Sequence, residues 1–276
     1  MPVISTNTAA NTALSYLNQN SAASSSALAK LASGSNITQA SDDAAGLAIG
    51  TQLSSDVSVL KQASTNASQA TSILQTADGG LSSISDILER MKSLATESAS
   101  GNVTDEQRSD DINTEYQQLL SEISGIASST TYGGVSLLDG TSSFASGVNF
   151  IVGTNASDSI SVTISAVSLS GLGLTGQSIT TASGASTLIN VLTSAIDQIT
   201  QDRAGIGASE SRFNFRSSEI STSSTNTSAA ESTIMDADVA EQKSNLSSDD
   251  VKTQAAVAAL AQAVKMPQEL LTLLQS

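Results

Sequence analysis

Apolar residues recur through the first hundred positions at the spacing of a coiled-coil seam. At seven-residue steps lie Leu53, Leu60, Ala67, Leu74, Leu81, Leu88 and Ala95, and a second series, offset by three, holds Ala63, Ala70, Ala77, Ile84 and Met91. These are the a and d positions of an uninterrupted heptad repeat, with polar Gln62, Ser68, Gln69, Ser82 and Asp86 beside them. So narrow a stripe predicts a long helix that needs a partner. Gly79 and Gly80 weaken it locally, each by about 1 kcal/mol relative to Ala. Upstream, Leu14, Leu17, Leu28 and Leu31 fit the same spacing, with Ser21 and Ser24 between them.

Downstream, Thr104 followed by Gln107 reads as a capping box, and Ile112, Tyr116, Leu119, Ile123 and Ile126 mark one face of the helix after it. From about residue 129 the texture changes. "STTYGGVSLLDGTSSF" is rich in turn formers, and "NFIVG", "SISVTISAVSL" and "QSIT" favour strands. Helical spacing resumes with Leu188, Val191, Leu192, Ala195, Ile196 and Ile199 and is expected to continue to Val239. The last segment carries Val257, Leu260, Val264, Leu271 and Leu274 at heptad-like spacing. The expected class is mainly α, with a small β-hairpin region in the middle of the chain and apolar seams at both ends that call for each other.

Composition narrows the function. Only 3% of the 276 residues are aromatic and none is Trp, so closely packed slender helices suit this chain better than a thick core. Pro2 and Pro267 are the only prolines, so no helix between them is broken by a missing donor. The net charge is −15, and no Lys or Arg lies between Arg108 and Arg203, which excludes nucleic acid and anionic membranes as partners. With neither Cys nor His, thiol chemistry, triads and zinc-protease motifs are excluded; no enzyme and no cofactor is expected. The chain offers no cleavable secretory signal and no run of about 18 apolar residues.

The candidate chemistry lies in "NITQASDDAAGLAIG", residues 36–50, where two carboxylates precede small apolar residues. Adjacent helical residues point about 100° apart, so Asp42 and Asp43 do not converge on one substrate atom. They read instead as a helix start, with Ser41 as N-cap and the carboxylates favoured at the positive helix end. Ala44, Ala45, Gly46 and Ala48 then admit another backbone, with Leu47 and Ile49 as anchors. Asp236, Asp238 and Glu241 suggest calcium, but the EF-hand glycine and spacing are missing, and they read as a charged helix surface.

"LASGSNITQASDDAAGLAIG" and "ILQTADGGLSSISDILERMKSLATESASG" resemble the N-terminal signature of bacterial flagellins. "IGASESRFNF", "SAAESTIMDADVAEQKSNL" and "LAQAVKMPQELLTLL" resemble the C-terminal one, and members often carry Arg where this chain has Lys30, Asn36 and Met235. The resemblance covers about residues 1–140 and 190–276. It implies terminal coiled-coil helices (1–40 with 245–276), a rod-like helical bundle (41–130 and 188–244) and a small β region (131–187). It further implies a subunit that polymerises into the flagellar filament for motility, secreted without a cleaved signal peptide through the flagellum's own type III export route. Implied partners are copies of itself and sibling flagellins, the filament cap and hook-junction proteins, and a cytoplasmic export chaperone at the C-terminal helix. The alternatives are the related hook–filament junction protein and a non-motility surface adhesin.

Subunit packing is expected at Leu14, Leu17, Leu28, Leu31, Val257, Leu260, Val264, Leu270, Leu271, Leu273 and Leu274, with Asp42, Asp43 and Gly46 shaping the turn into the rod. The terminal helices carry few large anchors against an ordering cost of about 1–2 kcal/mol per residue, so they are expected to fold on assembly. Arg90, Leu94 and Glu115 align with a patch through which flagellins engage an innate immune receptor, although Ser93 stands where members often have Glu.

Overall fold

The computed structural model describes residues 6–275, and for Gln268 and residues 270–275 the backbone alone. It is mainly α. In chain order come α1 (Thr8–Ser33), α2 (Ala44–Ala99), a one-turn α3 (Asp105–Gln107), a π-turn (Arg108–Ile112) and α4 (Asn113–Ser129). Strands β1 (Thr131–Tyr132), β2 (Val135–Ser136), β3 (Val148–Ile151) and β4 (Ser159–Val162) follow, then α5 (Ala182–Met235) and α6 (Val239–Gln275). The chain forms two compact units, residues 1–57 with 226–276, and residues 58–225.

The 58–225 unit is built on the heptad seam. Leu60, Ala63, Ala67, Ala70, Leu74, Ala77, Leu81, Ile84, Leu88, Met91 and Ala95 are all buried, and they share one core with Tyr116 and Ile123 of α4 and Leu188, Leu192, Ala195, Ile199 and Phe213 of α5. Gly80 does more than weaken the helix. A Cβ there would sit 2.6 Å from Thr130 Oγ1 and 2.9 Å from Leu138 Cδ1, so only glycine admits this close approach. Thr104 caps α3 through the expected capping box. The π-turn after it has no sequence signature, but its role is visible. Arg108 is buried there, and its guanidinium donates to the Ser98 and Ser100 carbonyls at the end of α2, at 2.6 and 2.7 Å, and to Asp105. Those carbonyls are ones the helix leaves without partners.

Gly133 and Gly134, at φ 58° and 83°, make the primed turn that joins β1 to β2. β3 pairs antiparallel with β4, from Val148 opposite Val162 to Ile151 opposite Ser159. "SISVTISAVSL" forms a strand only over its first four residues, and "QSIT" forms none. Both stretches instead run as irregular chain over the core: Ile164 and Val167 are buried, and the Ile179 carbonyl accepts from buried Ser98 Oγ at 2.6 Å. Their apolar residues answer to the helices beneath them rather than to a neighbouring strand. Phe150 stacks on Phe144 and meets Phe213 edge-on, at centroid distances of 6.5 and 5.9 Å. Burial pushes the Tyr116 phenol up to about 12.

In the other unit, α1 and α6 run antiparallel. Asn7 Nδ2 donates to the Ala263 carbonyl, Ser24 to Asp250, and Ser35 bridges Asp236. The helix expected to continue to Val239 stops at Met235, and α6 begins at Val239 rather than near 245. Asp236–Asp238 are taken up by pairing with the end of α1: Ala237 N–H donates to the Gly34 carbonyl and Asn36 N–H to the Met235 carbonyl. Pro267 lies inside α6 without ending it.

Candidate assembly surface

The aspartate pair shapes a turn. Asp42 Oδ2 accepts from the Thr38 amide (3.0 Å), the Thr38 hydroxyl (2.9 Å) and the Gln39 amide (3.2 Å), which closes the loop after α1. The Thr38 amide, with the hydroxyl behind it, holds this carboxyl below the usual carboxylate range. Asp43, not Ser41, is the N-cap of α2: its Oδ1 accepts from the Ala45 and Gly46 amides at 3.0 and 2.9 Å. Ser41 comes too early, inside the loop that Asp42 closes.

Gly46 is buried at this corner, where a Cβ would meet Asp43 Oδ2 at 2.5 Å and Ile37 Cδ1 at 2.9 Å. One turn later Gly50 receives the Met235 side chain. Lys30 Nζ donates to Asn36 Oδ1 at 3.3 Å. Leu47 is half-buried, whereas Ile49, expected as a second anchor, is 53% exposed. In "DADVAE", Asp238 Oδ1 caps α6 by accepting from the Ala240 and Glu241 amides, so its carboxylate serves a helix start. Among the described residues no cluster of carboxylates is arranged to hold a metal.

The seam between α1 and α6 departs from the sequence reading in one instructive way. On α1 the heptad series Ala10, Ala13, Leu17, Asn20, Ser24, Ala27 and Leu31 is covered, with Ser26 and Lys30 partly covered beside it; on α6 the covered positions are Gln242, Leu246, Asp249, Thr253, Ala256, Leu260, Ala263 and Pro267. Both series alternate steps of three and four, a heptad repeat, but most of each is made of small or polar residues. Leu17, Leu31 and Leu260 therefore lie in the seam, half-buried. Leu14, Leu28, Val257 and Val264 do not. They stand beside it, 45%, 57%, 51% and 50% exposed. Alanine at the seam lets two helices approach closely, and that geometry turns the larger neighbours outward. Leu270, Leu271, Leu273 and Leu274 belong to α6, but their side chains lie outside the described residues.

On the 58–225 unit, Arg90 and Glu115 meet in an exposed ion pair at 2.7 Å. Leu94 is 2% exposed and part of the core, so it cannot belong to a surface patch with them. Its heptad neighbours Met91 and Ala95 take it inward.

Residues 4–143 match the bacterial flagellin N-terminal helical region and residues 189–274 the bacterial flagellin C-terminal helical region. The chain belongs to the flagellin family. It is 35% identical to a flagellin of Listeria monocytogenes, with 95% of each chain covered, and 33% identical to a flagellin of Bacillus subtilis, with 99% of each covered. It is also 35% identical to a flagellar filament core protein of Treponema maltophilum, over 89% of this chain and 90% of that one. The solved Bacillus cereus flagellin superposes with a TM-score of 0.50 at 32% identity, covering 60% of this chain and 94% of that one. A flagellar hook-associated protein of Vibrio parahaemolyticus reaches a TM-score of 0.58 at 15% identity, covering 70% of this chain and 99% of that one, a likeness of fold alone. This flagellin is thus a structural subunit of the flagellar filament, an extracellular polymer, and the junction-protein alternative is not favoured. Among the described residues no helix is long and apolar enough to cross a membrane.

The residues that sequence reasoning missed in this flagellin are the small ones. Ala27, Ala256 and Ala263 are the most buried positions of the paired helices. A signal for them existed in the heptad spacing of Ala256 and Ala263, but Ala is so frequent in α6 that spacing alone could not single them out.

Proposed function

We propose that the filament of this flagellin is held together by the outward apolar face of its terminal helices. The observation that carries the reading is a division of labour: alanines close the seam within one chain, while Leu14, Leu28, Val257 and Val264 remain beside it, about half exposed. Covering such a side chain recovers about half of the ~1.5–3 kcal/mol of full burial, so the four together contribute roughly 3–6 kcal/mol per subunit. Leu270, Leu271, Leu273 and Leu274 extend the apolar run toward the C-terminus. Head-to-tail contacts whose rotation does not close then give an open helical polymer. Asp42, Asp43 and Gly46 set the corner from which α2 leaves.

The alanine seam buries little area for its length, which favours terminal helices that are ordered only once neighbours cover them. Such a chain passes unfolded through the flagellum's type III channel without a cleaved signal, with a chaperone shielding α6 beforehand and the cap and hook-junction proteins binding the same ends. The resulting filament serves motility. For innate-receptor contact, Arg90 and Glu115 remain as surface candidates and Leu94 does not.

The test is polymerisation of Leu28→Asp and Val257→Asp variants, followed by electron microscopy and sedimentation. Both are expected to remain monomeric while the 58–225 unit keeps its helicity. Filaments at normal yield from either would refute the assignment.

A further inference from the structure

All four phenylalanines lie in the 58–225 unit, and three of them, Phe144, Phe150 and Phe213, form one packed group. The fourth, Phe215, stands two residues farther along α5 and is 79% exposed, the most exposed of the large apolar residues described. One turn before it, Arg212 is exposed and has no ion-pair partner among the described residues. Arg216 is fixed beside them: its guanidinium donates to the Val152 carbonyl at 3.1 Å and pairs with Glu219 and Asp158 at 2.7 and 3.4 Å. Together with Ser157 and Ile160 of the β3–β4 hairpin these residues border an open groove of about 390 Å³.

Among the described residues Phe215 joins no ring contact and no core, and a solvated ring beside a spare guanidinium has the composition of a binding hot spot. We propose that this Arg212–Phe215 face docks onto a second copy of the same chain, at an apolar spot bordered by a carboxylate. Charge points to that occupant. Each copy carries 26 acidic and 11 basic residues, and its residues 109–202 contain no Lys or Arg at all, so a neighbouring copy is a ready source of unpaired carboxylates. The reading rests on assembly into a filament and adds to it a contact made outside the terminal helices. It requires a heterologous contact, since two copies of this face would oppose arginine to arginine.

The absence of native cysteine makes a direct test simple. A Phe215→Cys chain is labelled with an environment-sensitive fluorophore and its quenching by iodide is compared in monomer and filament. Quenching is expected to fall sharply on polymerisation. Separately, Phe215→Ser and Arg212→Glu are expected to raise the critical concentration about tenfold or more, with Arg212→Lys near normal and monomer circular dichroism unchanged. Filaments in which the fluorophore stays as accessible as in the monomer would overturn this contact while leaving the filament reading intact. Failure of the unsubstituted chain to polymerise would overturn the filament reading first, and this one with it.

Discussion

Two adjacent glycines of α2 face opposite fates. A methyl added at Gly79 would meet no atom within 4 Å, so Gly79→Ala is expected to gain helix propensity and stabilise by about 1 kcal/mol. At Gly80 the same methyl runs into Thr130 and Leu138, and overpacking of about 1–3 kcal/mol outweighs that gain. Urea denaturation of the two variants should therefore move the midpoint in opposite directions. Glu210 supplies a pH signature. Burial, with the Asp78 charge adding to it, raises its carboxyl above the ordinary range. Between the unfolded value, about 4.3, and the higher folded one, the folded chain holds more protons, so stability from this group is lost as pH rises through that window. Glu210→Gln is accordingly expected to raise the thermal midpoint at pH 7 and to lose that advantage below pH 4. Both effects belong to tertiary neighbours, since a lone sequence gives Gly79 and Gly80 the same penalty and Glu210 no distinction.

Among the elements, the long heptad of α2 was legible because its repeat is dense and its a and d residues are apolar throughout, so burial had one choice of face. The paired termini were only partly legible. Leucine spacing grouped Leu14 and Leu28 with Leu17 and Leu31, whereas only Leu17, Leu31 and Leu260 lie half-buried between the two helices, because large apolar residues occupy two adjacent stripes and the closer packing of alanine decides which stripe becomes the seam. Ala256→Leu is expected to overpack that seam by about 1–3 kcal/mol and raise the critical concentration measured by sedimentation. Thr253→Val should lower it: the Thr253 hydroxyl is buried with no hydrogen-bond partner among the described residues, and removing such a group is neutral or favourable.

For the whole molecule, two compact units, with the hydrophobic core cluster confined to residues 58–225, imply separable behaviour. Deleting residues 245–276 is expected to stop filament growth, seen by electron microscopy, while circular dichroism retains the helices of residues 58–225. Hydrogen exchange on dilute monomer should find α1 and α6 exchanging far faster than the α2 core, and equal protection would count against folding on assembly. By itself the amino-acid order determined the helical class, the long seam, the capping box at Thr104, the absence of histidine and thiol chemistry and the family signatures, because each depends on local spacing or composition. Only the tertiary structure decided that Asp43 rather than Ser41 caps α2, that Leu94 faces inward, that "QSIT" lies as irregular chain, and which apolar stripe of the terminal helices stays exposed. Those outcomes turn on which surfaces approach closely enough to exclude water, and that is a property of pairs of segments distant in sequence.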